Sequence, residues 1–494
     1  MLNALKKEFN YTHTENGAIT HKSTESKLLD LFALGGAYRT RSENDVKLLF
    51  REAFEENPVY ALKCLFYLRD AREGMGERRF FRVVLKDLAI NFPEAVERNM
   101  EYISEFGRWD DMYVLVGTSL EEKMFAFLKR QLALDVQSKT PSLLAKWLKS
   151  ENASSKETKM LAIKTRNAFG MTARQYRKTL SILRERIKVL ERLMSANRWE
   201  EIEFDSIPSK AGLVYRNAFA RRDIIKAKYE AFAMNKDTKV NADVLNPAEI
   251  VHSCYKYWHS PSSLERAMLD KYWENLKDYY NGREERGIAV VDVSGSMSGE
   301  PMEAAVGLGA YIAERGQGPF HNHFITFSQH PNLVEFSGVD VYDKFTRARG
   351  ADWGYNTNFE AVIDLLLNTA LKNKLTQDEM PTRLYVFSDM EFDQAFGTRD
   401  NNSPWGSPFK PFGKDKVMTL MEQKKIEWEN HGYKLPSVIF WNLRAAQKNI
   451  PAIGDGFSYV SGFSANMIDT ILSGKDGFDL MMEKLNSERY SCIK

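Results

Sequence analysis

The sequence predicts two folds on one chain: an all-α helical-repeat module over residues 1–284 and a doubly wound, Rossmann-like α/β domain over residues 285–494. Three observations carry this expectation. At 494 residues the chain exceeds a single ordinary core, given about 100–200 residues per domain. Its first half spaces apolar residues at three and four, as amphipathic helices do, with no alternating strand pattern. Past Asn281–Gly287, short apolar runs alternate with helical stretches of ten residues or more, which implies parallel strands joined by helices.

In the first half, helical periodicity runs over residues 45–71, 77–106, 120–136 and 172–199, broken by "REGMGERR" (Arg72–Arg79), "NFPEA" (Asn91–Ala95) and "FGRWDD" (Phe106–Asp111). Recurrent helix pairs over such a length predict a solenoid of packed hairpins. In the second half, "GIAVVDV" (287–293), "HFITFS" (323–328), "RLYVFSD" (383–389) and "SVIFWNL" (437–443) read as buried strands. The intervening 301–316, 357–373 and 416–432 read as helices. In such sheets ligands sit beyond the carboxyl ends of the strands, at the point where strand order reverses.

No run approaches the roughly 18 apolar residues of a membrane span, and the first residues lack the apolar centre of a secretion signal, so an intracellular, cytoplasmic protein is expected. Cys64, Cys254 and Cys492 lie far apart and suggest neither a disulfide framework nor a metal spacing. Net charge is only +2, but it is unevenly spread: residues 1–285 hold 48 Lys and Arg against 41 Asp and Glu, and residues 286–494 hold 21 against 26. Residues 151–200 alone hold 12 against 5, either a polyanion-binding face or a solvated helix surface.

One stretch carries chemistry. "VVDVSGSMSG" (Val290–Gly299) is an apolar strand that stops on Asp292 and opens into Ser294 and Ser296. Asp389 closes a later strand, and Thr357 precedes a helix at the same predicted edge. Two carboxylates and three hydroxyls are hard oxygen donors of the kind Mg²⁺ prefers, with one position left for an incoming carboxylate or phosphate. The serines could instead cap the following helix. A hydrolase elbow needs serine where Met297 stands, and an aspartyl phosphatase needs a second carboxylate where Ser294 stands. The pattern favours binding over turnover.

Asp292, Ser294, Ser296, Thr357 and Asp389 in this order on strand ends resemble the metal-ion-dependent adhesion site of von Willebrand factor A domains, which implies a bound Mg²⁺. A helical repeat followed by such a domain resembles the Ro ribonucleoprotein (TROVE) family, and most closely its TROVE-like relatives of unknown function. The residues that carry this likeness are "FYLRDAREGMGERR" (Phe66–Arg79), "FGRWDD", "LAKWLKSEN" (Leu144–Asn152) and "IPSKAGLVYRNAFARRD" (Ile207–Asp223). The resemblance implies HEAT-like repeats in a ring or horseshoe, RNA binding without catalysis, single-stranded ends inside the ring and structured RNA on a basic outer face. An RNA chaperone or scaffold is therefore expected, with an acidic partner or the ring's own carboxylate at the metal, and with neither membrane nor DNA as a partner.

The basic residues that fit this role are Arg72, Arg78, Arg79, Lys146, Lys164, Arg166, Arg174, Arg177, Lys178, Arg184, Arg216, Arg221 and Arg222. Such side chains grip phosphates without reading bases. Tyr176, Trp199, Tyr215 and Phe219 could stack unpaired bases, or could belong to the core. Arg72, Arg78 and Arg79 cluster at a helix start, where the dipole disfavours cations, so either RNA or an acid elsewhere in the protein is expected to face them. Two other classes fit less of the sequence: a protein-interaction scaffold without RNA, and a Mg²⁺-dependent phosphoesterase or nuclease.

Overall fold

A computed structural model describes residues 1, 9–256, 261–327, 331–350, 358–393 and 418–494. The helical half contains eleven helices of eight or more residues among those described: α1 (Lys27–Leu34), α2 (Glu43–Glu56), α3 (Pro58–Arg69), α4 (Arg78–Asn91), α5 (Glu121–Gln137), α6 (Lys156–Phe169), α7 (Ala173–Arg186), α8 (Ser209–Arg221), α9 (Asp223–Met234), α10 (Pro247–Tyr255) and α11 (Ser263–Glu274). Local chemistry sets their ends. The periodic run over 45–71 is two helices, because Asn57 caps the second by accepting from the Tyr60 amide at 3.2 Å and Pro58 occupies its first position. The run over 172–199 also breaks: α7 stops at Arg186, and Lys188 takes a left-handed φ of 46° before a short helix at Leu190–Ser195.

The absence of strands expected for the first half is corrected by a hairpin, β1 (Tyr11–His13) with β2 (Ile19–His21). Its partners lie far along the chain. His21 and Ile450 exchange backbone hydrogen bonds at 3.0 Å each way, and Thr14 Oγ1 donates to the Phe392 carbonyl at 2.7 Å. Strands of three residues are too short to leave a periodic signal.

The second half is an α/β unit around a six-stranded sheet: β3 (Gly287–Asp292), β4 (His323–Phe327), β5 (Asn332–Glu335), β6 (Arg383–Ser388), β7 (Ser437–Asn442) and β8 (Phe457–Ser461). The strand order is β5-β4-β3-β6-β7-β8, parallel throughout except for antiparallel β5 at one edge. Order therefore reverses between β3 and β6. Helices α12 (Glu300–Arg315), α13 (Val341–Arg349), α14 (Phe359–Asn373), α15 (Leu420–Asn430) and α16 (Gly477–Leu485) accompany the sheet. Among the described residues no helix is long and apolar enough to cross a membrane.

The helical path begins and ends on the sheet unit. At its start, α1 packs on β8, and the Gly36 amide donates to Ser461 Oγ at 2.9 Å while that hydroxyl donates to the Phe32 carbonyl. At its end, α10 packs along α12, where Gly307 meets the backbone of Pro247 and Ala248. The chain's last residues return to the helices: Arg489 and Tyr490 bind Asp70, and Lys494 exchanges hydrogen bonds with Asn99. A Cβ at Gly36 would stand 2.4 Å from the Ser461 carbonyl oxygen, so backbone must move to admit it. Gly36→Ala is expected to cost about 1–3 kcal/mol in urea denaturation, as other overpacked junctions do.

Candidate cation pocket and basic cavity

The strand reversal between β3 and β6 brings the two predicted carboxylates together. Asp292 ends β3 and Asp389 follows β6, and both are buried. Asp292 Oδ1 accepts from the Ser294 amide at 2.9 Å, and its Oδ2 accepts from Ser388 Oγ at 2.6 Å. The hydroxyls of Ser294 and Ser296 stand 3.1 Å apart, and Asp389 Oδ1 accepts from the Glu391 amide at 3.2 Å. Helix α12 starts from Gly299 at φ 88° with no side-chain cap, so neither serine has the capping role. Thr357 lies outside the described residues.

Burial and the charge of Asp389 push the Asp292 carboxyl up to about 7, and burial also raises Asp389. Burial is the larger cause of both shifts, and two acids held out of water at one sheet edge keep their charge more easily with a cation between them. Arg444, from the loop after β7, relieves Asp389 only in part, and its Nη1 donates to the Ser296 carbonyl. Among the described residues no third His, Cys, Asp or Glu completes a cluster of three, so the donors are two carboxylates and two hydroxyls. That hard, anionic set fits Mg²⁺ better than a softer metal.

A second feature lies where the ends of the helical path face each other. A cavity of about 1010 Å³ is walled by Arg69, Arg72, Arg78, Arg79 and Arg108 on one side and by Lys210, Arg216 and Lys256 on another. The sheet unit closes it with Glu300, Glu303, Phe463 and Ser464. Glu77, also on the wall, is spent on Arg39 at 2.8 Å. The turn "FGRWDD" organises the arginines. Buried Asp111 accepts from Arg69 Nε at 2.9 Å, Arg82 Nε at 2.5 Å and the Arg108 amide at 2.9 Å. Asp110 accepts from Arg82 at 2.8 Å and from Arg108 twice at 2.9 Å. Arg108 also lies over the Trp147 ring, 4.0 Å from its centroid.

Of the predicted basic residues, Arg72, Arg78, Arg79 and Arg216 meet at this cavity. The others do not join them there. Lys146 pairs with Glu191, Lys164 with Glu121, and Arg166 and Arg177 share Glu151. Arg174, Lys178 and Arg221 are exposed, and Arg222 lies over the Trp199 ring. Arg184 is a brace rather than a free contact: its guanidinium donates to the Ala145 and Leu148 carbonyls and to Ser150 Oγ at 2.8–3.0 Å. Of the two readings open for the aromatics, Tyr176, Trp199 and Phe219 take the core one, buried and not available for stacking on bases; Tyr215 is half-buried. Arg69, Arg108, Lys210 and Lys256 were not singled out by sequence, and the acid pair in "FGRWDD" was the one local sign of the first two.

A helical path that starts and finishes on an α/β sheet, with oxygen donors at the strand reversal, defines a class of two-part architecture: a helical module and an α/β unit. Two family models match the chain in the same division. "Domain of unknown function (DUF2828)" matches residues 14–162 and 134–285, and "Domain of unknown function (DUF7788)" matches residues 286–491. The first covers more than half of the chain, which therefore belongs to the DUF2828 family. An uncharacterized protein of Acanthamoeba polyphaga mimivirus is 30% identical over 512 residues, spanning 94% of this chain and 85% of that protein.

Proposed function

We propose that this chain is a non-enzymatic RNA-binding protein of Ro-like design, an RNA chaperone or scaffold in which HEAT-like repeats close on a von Willebrand factor A-type domain. The observation that carries the reading is the arginine-walled cavity between the two ends of the helical path. Its cations outnumber its acids, and Arg72, Arg78 and Arg79 face it without a carboxylate partner among the described residues. Positive potential focused in a cleft favours a phosphate chain. Asp292, Ser294, Ser296 and Asp389 would hold Mg²⁺, with Thr357 as the resemblance implies. Bound there, the ion would supply an anchor for an anionic oxygen of a partner or of the helical module itself.

The test is a titration of single-stranded RNA against the intact protein and an Arg72→Glu, Arg79→Glu, Arg216→Glu variant. Wild-type affinity is expected to fall with salt by about 0.7 in log–log slope for each phosphate held, and the variant to bind at least about tenfold more weakly with a shallower slope. A shallow slope in the wild type, with unchanged affinity in the variant, would favour a protein-interaction scaffold. Cleavage of the RNA that needs Mg²⁺ and disappears in Asp292→Ala would make the pocket catalytic.

A further inference from the structure

The segment that follows β6 fixes both carboxylates of the cation pocket. The hydroxyl of Ser388 accepts from the Met390 amide at 3.0 Å while it donates to Asp292, and the Glu391 amide donates to Asp389 Oδ1. Met390, in the middle, takes a left-handed φ of 63°, which a side chain of this kind keeps only where neighbouring contacts impose it.

Those contacts come from the β1–β2 hairpin, whose turn lies about 376 positions earlier in the chain. From that turn the Glu15 amide donates to Glu391 Oε2 at 2.8 Å, Asn16 Nδ2 donates to the Glu391 carbonyl at 2.6 Å, and Thr14 Oγ1 donates to the Phe392 carbonyl. The other carboxylate oxygen of Glu391 accepts from Asn449 Nδ2 at 2.7 Å. Glu391 is buried, and a carboxylate held out of water keeps its place through donors of this kind. On its far side the hairpin is tied to the helical module: the amide and hydroxyl of Thr24 donate to Oδ1 of buried Asp30, in α1, at 2.7 and 2.8 Å. An unbroken run of hydrogen bonds and short backbone therefore leads from α1 through the hairpin to Glu391 and Asp389.

We infer that Glu391 is a positioning residue of the cation pocket, through which the β1–β2 hairpin sets where Asp389 stands, so that docking of the hairpin and binding of the cation strengthen each other. The inference rests on the Mg²⁺ reading of the pocket and adds to it a control exerted from the helical module. Glu391 acts through its amide on Asp389, and the hairpin acts through Glu391. Linkage makes the effect reciprocal: whatever factor hairpin docking contributes to Mg²⁺ affinity, Mg²⁺ contributes to hairpin docking.

The experiment is calorimetric titration of the full chain with Mg²⁺, beside hydrogen exchange of the peptide covering residues 9–24 with and without the ion. Glu391→Ala is expected to weaken Mg²⁺ binding about tenfold, and Thr14→Val combined with Asn16→Ala about fivefold. Glu391→Gln is expected to stay within about twofold of wild type, because it keeps an acceptor for the Glu15 amide, and Asn449, whose Oδ1 has no hydrogen-bond partner among the described residues, can turn its amide to receive the new NH₂. Saturating Mg²⁺ is expected to slow exchange in the hairpin of the wild type by about fivefold and to leave it unchanged in Glu391→Ala. A role in stability alone would lower the melting temperature of the ion-free protein without moving either readout. Asn16 is exposed, so Asn16→Ala by itself keeps the test open should Glu391→Ala fail to fold. Equal Mg²⁺ affinity in wild type and hairpin variants, or equal losses in Glu391→Gln and Glu391→Ala, overturns the positioning role and keeps the pocket. A wild type that gives neither saturable heat nor a change in melting temperature with Mg²⁺ overturns both.

Discussion

Arg489→Ala is expected to lose about 3–5 kcal/mol of stability, the effect of stripping one partner from a buried ion pair. Asp70 is 0% exposed, and Arg489 donates to both its oxygens, from Nε at 2.5 Å and from Nη2 at 3.0 Å. The Tyr490 hydroxyl adds a contact at 3.2 Å, and the Arg72 amide another at 3.0 Å. The bond to Asp70 holds the Arg489 guanidinium above its ordinary range, which shows how strongly the charged form is preferred here. Without the guanidinium, a carboxylate stays in the interior with one hydroxyl and one amide. Guanidinium denaturation measures the loss, and Arg489→Ala with Asp70→Asn should recover part of it, because the orphaned charge is gone. A single variant within about 0.5 kcal/mol of wild type would mean that water reaches Asp70 and that the pair is a surface one.

The second large effect concerns Mg²⁺. A ligand that binds only the folded state stabilises it by about 2.7 kcal/mol at a hundred times its dissociation constant. Titrating the chelator-treated protein with Mg²⁺ is therefore expected to raise its melting temperature progressively, and Asp292→Asn is expected to abolish the rise. The asparagine keeps an acceptor for the Ser294 amide while removing the charge that a divalent ion needs, so a folded but unresponsive variant is the predicted outcome. An equal rise in wild type and variant would place the ion elsewhere.

Much of this architecture was legible because burial leaves a strong local trace. Strands β3, β6 and β7 are continuous apolar runs, and β3 ends on a charge that no interior strand position would tolerate alone, so Asp292 announced itself. Strand β5 alternates exposed and buried residues at the sheet edge, and β8, "FSYVS", follows two glycines with no long apolar run, so neither declared itself. The candidate site was harder. Arg69 and Asp111 are 42 residues apart, and nothing in either neighbourhood signals the other. Arg184 carries the same charge as Arg174, yet three acceptors around it make it structural, and two of those are backbone carbonyls that leave no mark on composition. Sequence finds the cations; only folding decides which remain available.

The bond between Asp70 and Arg489 spans 419 positions. During synthesis the early helices emerge with that acid still lacking its counterion, and it gains one only after the whole α/β unit has been made behind them. The interior charge of the helical half is therefore neutralised late, by a residue that lies beyond the last strand of the sheet.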